Sequence, residues 1–254
     1  MSAIPSLDLN FENSPTVWKF IHDQSFVRGL MGPVGSGKSY GCAAEIMLRA
    51  VKQKPSPRDG IRYSRFVIVR NTYPELRTTT IKTWQELFPE DVWGGMRWQP
   101  PISHHIKIPT RGDIPGIDCE VIFMALSSPQ DVYPTKSDGG PTWYGIWMDT
   151  NPPDSDHWWH EVAEKHPIKG KYPWTFFRQP GGVLQASPDE VPDENPDAQG
   201  FVFSGAKWWR INENAENANN LPPGYYQQLL GGKNVDWIRC YAQGMYTFVQ
   251  EGRP

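Results

Sequence analysis

The stretch that decides the fold is FVRGLMGPVGSGKSY at residues 26–40. Within it, residues 32–39 (GPVGSGKS) fit the phosphate-binding pattern G-x-x-x-x-G-K-[ST] at every position. The residues before the pattern predict a strand, and residues 38–53 after it place apolar side chains at helical spacing. A chance glycine turn before a helix is the alternative interpretation. The agreement of strand, loop and helix favours a P-loop instead.

Each residue type in this pattern suits the binding of a triphosphate. Glycines let the backbone curl around phosphate, so that successive N–H groups and the positive end of the following helix point at the anion. Lys38 is predicted to reach the β- and γ-phosphates, and the Ser39 hydroxyl is predicted to bind Mg²⁺. The predicted ATP-binding residues of the loop are Gly32, Pro33, Val34, Gly35, Ser36, Gly37, Lys38 and Ser39.

Composition excludes several classes of protein. The 254 residues carry a net charge of −3, so any contact with nucleic acid must come from a local patch rather than from an overall positive field. The three cysteines form no CxxC pair, which argues against a zinc module or a disulfide framework. No apolar run approaches the roughly 18 residues of a membrane span, and the N-terminus does not read as a signal peptide. We expect no membrane partner.

Strand and helix patterns alternate in the first half of the chain, which is typical of a mostly parallel sheet. The patterns predict a short helix or turn at 16–24, helices at 38–53 and 78–88, and strands at 26–31, 65–70, 104–109, 119–126, 143–149 and 174–179. They also predict a solvated loop at 185–199 and two short helices around Gly231 and Gly232. We therefore predict an α/β P-loop NTPase fold with a mostly parallel central sheet flanked by helices. The expected domains are an ATPase core over residues 1–200 and a small helical lid or linker subdomain over residues 201–254.

A P-loop alone does not name a substrate, because ATPases, GTPases and small-molecule kinases share it. The base-reading pattern NKxD of GTPases is absent from the sequence. If the chain were a small-molecule kinase, we would expect a lid rich in arginine. The candidate loop at residues 185–199 is acidic instead.

Four stretches of the chain resemble the terminase large subunit, the DNA-packaging ATPase of tailed double-stranded DNA bacteriophages. They are the stretch at 26–40, FVIVRNTYPELRTTTIKTWQELFP at 66–89, GGPTWYGIWMDTNPPDSDHWW at 139–159 and the tail at 221–254, and they follow the order of the family. The resemblance implies a P-loop ATP hydrolase that uses ATP and Mg²⁺ to drive double-stranded DNA into a procapsid. It also implies a homo-oligomeric ring on the portal protein, a small terminase subunit as partner, and the cytoplasm of the infected bacterial host as location.

The resemblance assigns roles to residues outside the loop. Thr150 and Asn151 correspond to the coupling motif that senses the γ-phosphate and links hydrolysis to movement. A proline-rich turn that closes a strand is the alternative there. Gln24 stands where related motors hold a glutamine that contacts adenine, and a helix end is the alternative.

Two arginines are candidates for stabilising charge on the transferred phosphoryl group. Arg70 and Arg77 flank a predicted strand–turn–helix junction near the carboxyl edge of the sheet, where ligands bind in open α/β folds. The alternative is a surface arginine paired with Glu75 or Glu86.

Two departures from the family bear on catalysis. The family's Walker B strand, with its terminal acid and the glutamate that activates water, has no room between residues 132 and 139. Asp149 ends an apolar strand and is the predicted substitute as catalytic acid and Mg²⁺ partner, but Thr150 follows it in place of a glutamate. A catalytically impaired nucleotide-binding or assembly module of the same family is therefore the alternative function. The second departure concerns DNA cleavage. By the same resemblance, the nuclease domain of the family would begin after residue 254, so we expect no DNA cleavage by these residues.

Overall fold

The computed structural model describes residues 7–125 and 143–247, which form a mixed α/β structure. Its α-helices are α1 (Pro15–His22), α2 (Lys38–Lys52), α3 (Tyr73–Glu75), α4 (Ile81–Leu87), α5 (Glu90–Trp93), α6 (Trp158–His160), α7 (Tyr225–Leu230) and α8 (Val235–Trp237). Its strands are β1 (Val27–Met31), β2 (Arg62–Arg70), β3 (Met96–Arg97), β4 (Ile102–Ile108), β5 (Ile117–Ala125), β6 (Ile146–Thr150), β7 (Trp174–Arg178), β8 (Val183–Ala186), β9 (Phe201–Ser204) and β10 (Lys207–Ile211).

Short stretches of other helix types complete the secondary structure. π-helical turns cover Leu76–Thr80, Glu161–Lys165 and Ile238–Ala242, and 3₁₀ turns cover Pro188–Glu190, Pro196–Gln199 and Ala218–Asn220. None of the described helices is long and apolar enough to cross a membrane.

The described strands form three sheets rather than the one central sheet that we expected. Strands β6, β1 and β7 form a sheet that is parallel throughout. In the second sheet β2 pairs with β5 in parallel, whereas β5–β4 and β4–β3 are antiparallel. The third sheet, β8–β10–β9, is antiparallel. Short connections explain the antiparallel pairs β3–β4, β4–β5 and β9–β10, because a parallel neighbour needs a crossover of a dozen or more residues.

Contacts between Cα atoms divide the described chain into two units. The first unit holds residues 7–9, 39–125 and 143–144 and contains the sheet β2–β5–β4–β3. Its core is aromatic: Trp84, Phe88 and Phe123 are fully buried, and the Trp84 ring lies 4.2 Å from Phe88 and 5.8 Å from Phe123, centroid to centroid.

The second unit holds residues 10–38 and 145–247 and contains the other two sheets. Helix α1 covers the parallel sheet, where Phe20 meets Phe177 edge to face at 5.8 Å. A separate cluster of Trp209, Tyr226, Leu230 and Ile238 joins the antiparallel sheet to α7 and the last π turn.

Most predicted elements have a counterpart in the structure, including the strand before the loop, the helix after it and the two short helices around Gly231 and Gly232. The segment expected to be a helical subdomain differs at its start, because residues 201–211 contain the hairpin β9–β10, which pairs with β8. The domain boundary at residue 200 stays a prediction. The shortened segment between residues 132 and 139 lies outside the described residues.

Candidate functional site

The loop over residues 32–37 connects β1, which is buried at all five positions, to helix α2, which begins at Lys38. Gly35 and Gly37 have φ angles of 83° and 79°, in the left-handed region that glycine adopts readily. A side chain at position 35 would also meet Tyr225, because a Cβ there would lie 2.9 Å from Tyr225 Cε1. The spacing of glycines in the sequence therefore has a conformational reason in the structure.

Strands β6 and β7 flank β1 in parallel and bring three chain segments to one sheet edge. The Gly32 N–H donates to Thr150 O at 3.2 Å, and the Gln179 N–H donates to Met31 O at 2.8 Å. The residues that follow the strands are thus Gly32, Asn151 and Gln179, side by side at the carboxyl ends. This is the edge at which open α/β folds bind their ligands.

The Lys38 ammonium lies inside the loop and is buried. Its Nζ donates to Pro33 O at 2.6 Å, to Ser36 Oγ at 3.3 Å and to Asn151 Oδ1 at 3.1 Å. The structure thus brings together Lys38 and Asn151, which the sequence singled out by separate arguments. These acceptors are uncharged groups, and a phosphate oxygen would be a stronger partner than any of them for the same ammonium.

Gln179 is a residue of the site that the sequence analysis missed. It is buried, its Oε1 accepts from Ser36 Oγ at 2.8 Å, and its Nε2 donates to Ser36 O at 2.8 Å. The same Nε2 lies 2.9 Å from Oε2 of Glu216, a buried carboxylate whose Oε1 accepts from Thr16 N–H at 3.0 Å. Gln179 could have been predicted from the sequence, because it directly follows a parallel strand. No local sequence pattern indicates that Glu216 belongs to the site.

Residues of the C-terminal segment also contact the loop, which the sequence did not indicate. Asn217 Nδ2 donates to Gly35 O at 2.8 Å, and Tyr226 Oη donates to Val34 O at 3.3 Å. The Val34 N–H donates to Tyr241 O at 2.7 Å. Burial raises the pKa of Tyr226 to about 12, so its hydroxyl keeps its proton and remains a donor at neutral pH.

The residues predicted to serve Mg²⁺ lie in the expected elements. Ser39 is the second residue of α2. Asp149 lies on β6, in register with Leu30 of β1, and the next side chain, Thr150, donates its hydroxyl to Asn151 O at 2.7 Å. No group of three or more His, Cys, Asp or Glu within the described ranges could hold a metal ion by itself. The metal roles of Ser39 and Asp149 stay predictions.

Two of the remaining candidates, Arg70 and Gln24, have local hydrogen-bond partners. In the first unit, Arg70 Nε donates to Thr80 Oγ1 at 2.9 Å, and Arg77 is exposed on the π turn. In the second unit, Gln24 Nε2 donates to His22 O at 2.9 Å, just past the end of α1. Their proposed contacts with phosphate and adenine stay predictions.

Comparison with known proteins gives no relative for this chain. No protein-family model matches it, and neither the curated proteins nor the solved structures contain a significant match.

Proposed function

We propose that this chain binds ATP and Mg²⁺ at residues 32–39 and hydrolyses ATP as the engine of viral packaging of double-stranded DNA. The observation that carries the proposal is the hydrogen bond of 3.1 Å between Lys38 Nζ and Asn151 Oδ1. It joins the loop's ammonium to the residue that the terminase resemblance assigns to coupling. Portal protein, small terminase subunit and an assembled ring are the partners that this function requires.

The contact suggests how nucleotide would act on the chain. A γ-phosphate oxygen carries negative charge and would displace a neutral acceptor from the Lys38 ammonium. Asn151 is an acceptor from outside the loop, and we propose that its amide is released when triphosphate binds. The end of β6 would then report the presence of the γ-phosphate.

Mg²⁺ would neutralise charge on the β- and γ-phosphates, with Ser39 and Asp149 as the chain's own candidates to hold it. Lys38 would stabilise the same charge from the loop. Arg70 and Arg77 remain the candidates for the arginine that acts on the transferred group.

A nucleotide-binding assembly module is the second candidate function. It is favoured by the residue after Asp149, because Thr150 cannot act as the carboxylate that activates water. Its hydroxyl already donates to Asn151 O at 2.7 Å. Such a module would bind ATP with little turnover.

The two functions separate in one experiment. ATP·Mg binding and steady-state phosphate release are measured with and without double-stranded DNA for the wild type, for Lys38→Ala and for Lys169→Ala, an exposed lysine on a loop of the second unit, as the control. The motor function predicts saturable binding and DNA-stimulated release that only Lys38→Ala abolishes. Binding without release above the Lys38→Ala rate supports the assembly module. A wild type with no saturable ATP binding contradicts both.

A further inference from the structure

The carbonyl groups of residues 34–36 each accept a hydrogen bond from a side chain outside the phosphate-binding motif. Tyr226 Oη donates to Val34 O at 3.3 Å, Asn217 Nδ2 to Gly35 O at 2.8 Å, and Gln179 Nε2 to Ser36 O at 2.8 Å. The donors come from α7, from the start of a 3₁₀ turn and from the end of β7. Three separate elements therefore hold three consecutive carbonyls.

The three held carbonyl groups also fix the direction of the amide N–H groups that follow them. In a trans peptide the C=O of one residue and the N–H of the next point in opposite directions. Donors that hold the carbonyls of residues 34–36 therefore turn the N–H groups of residues 35–37 away from those donors. The φ angles of 83° at Gly35 and 79° at Gly37 complete an alternating backbone of the kind that forms an anion nest.

The amides that result are available to a ligand. Within the described part of the chain, the N–H groups of Gly35 and Gly37 donate to no protein acceptor. The Ser36 N–H makes only a long turn contact of 3.4 Å with Pro33 O. The positive end of α2 begins at the next residue, Lys38, which adds to the attraction for an anion.

We propose that Tyr226, Asn217 and Gln179 are positioning residues, which orient the loop amides toward a phosphate by holding the carbonyls from the other side. Gln179 is itself fixed by Glu216, which accepts from it at 2.9 Å while also accepting the Thr16 N–H of α1 at 3.0 Å. This inference rests on the proposed ATP site, and it assigns part of the phosphate affinity to the C-terminal segment.

The test removes two of the three donors, those of Asn217 and Tyr226, without changing the charge or the backbone preference. Asn217→Gly removes the amide while keeping the left-handed conformation, since the φ angle at Asn217 is 63°. Asn195→Gly is the matched control, because Asn195 also begins a 3₁₀ turn, with a φ angle of 48°. Tyr226→Phe removes only the hydroxyl.

Two measurements are made on each variant: amide hydrogen exchange of residues 32–38 without ligand, and titration with ATP·Mg. We expect Asn217→Gly and Tyr226→Phe each to speed exchange of the loop and to weaken ATP binding by about two- to tenfold, the range of one hydrogen bond. The double variant should lose more, and Asn195→Gly should behave as wild type.

The outcomes distinguish this inference from the proposed function. If the wild type binds ATP but both variants keep its affinity and its loop exchange, the positioning role is wrong. If the wild type does not bind ATP while the variants still loosen the loop, the ATP site is wrong and the orientation of the loop by these side chains is supported.

Discussion

Asn151 supplies an acceptor of the Lys38 ammonium that lies outside the loop. Pro33 O and Ser36 Oγ are fixed within the loop itself, whereas Asn151 belongs to the segment after β6. The strength of this acceptor should therefore influence how readily the Lys38 ammonium moves to a phosphate.

The substitution Asn151→Asp tests this balance. It places a carboxylate where an amide oxygen now lies 3.1 Å from Lys38 Nζ, and a charge-assisted bond is roughly twice as strong as a neutral one. We expect the affinity for ATP·Mg to fall by about tenfold or more, because the new ion pair competes with the phosphate. Isothermal titration provides the measurement, with Asn195→Asp as a control for added charge. An unchanged affinity would show that the Lys38–Asn151 contact does not limit binding.

His104 makes the stability of the first unit sensitive to pH. The ring is fully buried, its Nδ1 accepts from Trp84 Nε1 at 2.9 Å, and its Nε2 lies 2.6 Å from Gly94 O, to which it must donate. The ring is therefore neutral in the folded chain, and burial lowers the pKa of His104 below its ordinary value of 6.5. The folded state binds fewer protons than the unfolded state between the two pKa values, so stability rises with pH there.

We predict that this contribution is fully present above pH of about 6.5 and is lost as the pH falls from there toward the folded pKa. The loss is about 1.4 kcal/mol for each pH unit of separation between the two pKa values. Urea unfolding, followed by Trp fluorescence at pH 7.5 and 5.5, provides the measurement. His104→Gln should be less sensitive to pH across this interval, and a variant that keeps the full pH dependence would contradict the assignment.

At the scale of elements, β1 depends on a glycine for its packing. A Cβ on Gly29 would lie 2.5 Å from Trp159 Cη2 and 2.6 Å from Phe176 Cδ1, closer than side chains pack. These rings cover the strand that leads into the loop, and Trp159 meets Phe176 edge to face at 4.9 Å. The position of the loop therefore depends on how closely β7 and α6 approach β1.

We expect Gly29→Ala to lower the free energy of unfolding by about 1–3 kcal/mol, because the rings must move to accommodate the added methyl group. Gly95→Ala is the control, since the nearest atom to a Cβ there is Glu90 Oε2 at 3.8 Å. Chemical denaturation of the two variants provides the comparison. Equal free energies of unfolding for the two variants would mean that the rings over β1 accommodate the added methyl group without destabilising the fold.

The elements were predictable from sequence where a local pattern defines them. The strand, glycine turn and helix around residues 26–53 follow from apolar spacing and from the conformational freedom of Gly35 and Gly37. The division into three sheets was not predictable, because strand pairing is decided by contacts between distant segments. The short strands β9 and β10 were missed because they lie among turn residues without a long periodic run.

Some residues of the candidate site could also be predicted from local sequence patterns, and others could not. The sequence singled out Lys38 because it lies within the phosphate-binding motif, and Asn151 because it lies in a stretch that resembles the terminase family. Asn217 and Tyr226 contact the loop across 182 and 192 residues of sequence, so no local pattern connects them to it. Their contacts with the loop depend on how the antiparallel sheet and α7 pack in the fold. That packing could not be predicted from the sequence.

At the scale of the whole molecule, the chain passes between two units, and the loop up to Lys38 belongs to the second. Each unit contains a buried cysteine, Cys119 in the first and Cys240 in the second. Burial raises the pKa of Cys119 to about 12 and that of Cys240 to about 11, so both thiols should be unreactive until their surroundings open. The two thiols can therefore report the opening of each unit separately.

Cys240 should be the thiol that ATP protects. Its Sγ lies 3.0 Å from Pro152 O, and the next residue, Tyr241, accepts the Val34 N–H of the loop at 2.7 Å. A ligand that binds only the closed site at 100 times its Kd lowers the open population by roughly 100-fold. We predict that ATP·Mg slows the labelling of Cys240 by a thiol reagent by up to this factor, while the labelling of Cys119 changes much less.

Mass spectrometry of the two cysteine peptides provides the measurement, and Lys38→Ala at the same nucleotide concentration should show no protection. Equal slowing at both cysteines would show that the two units open together, and no slowing at Cys240 in a chain that binds ATP would separate the C-terminal segment from the nucleotide site.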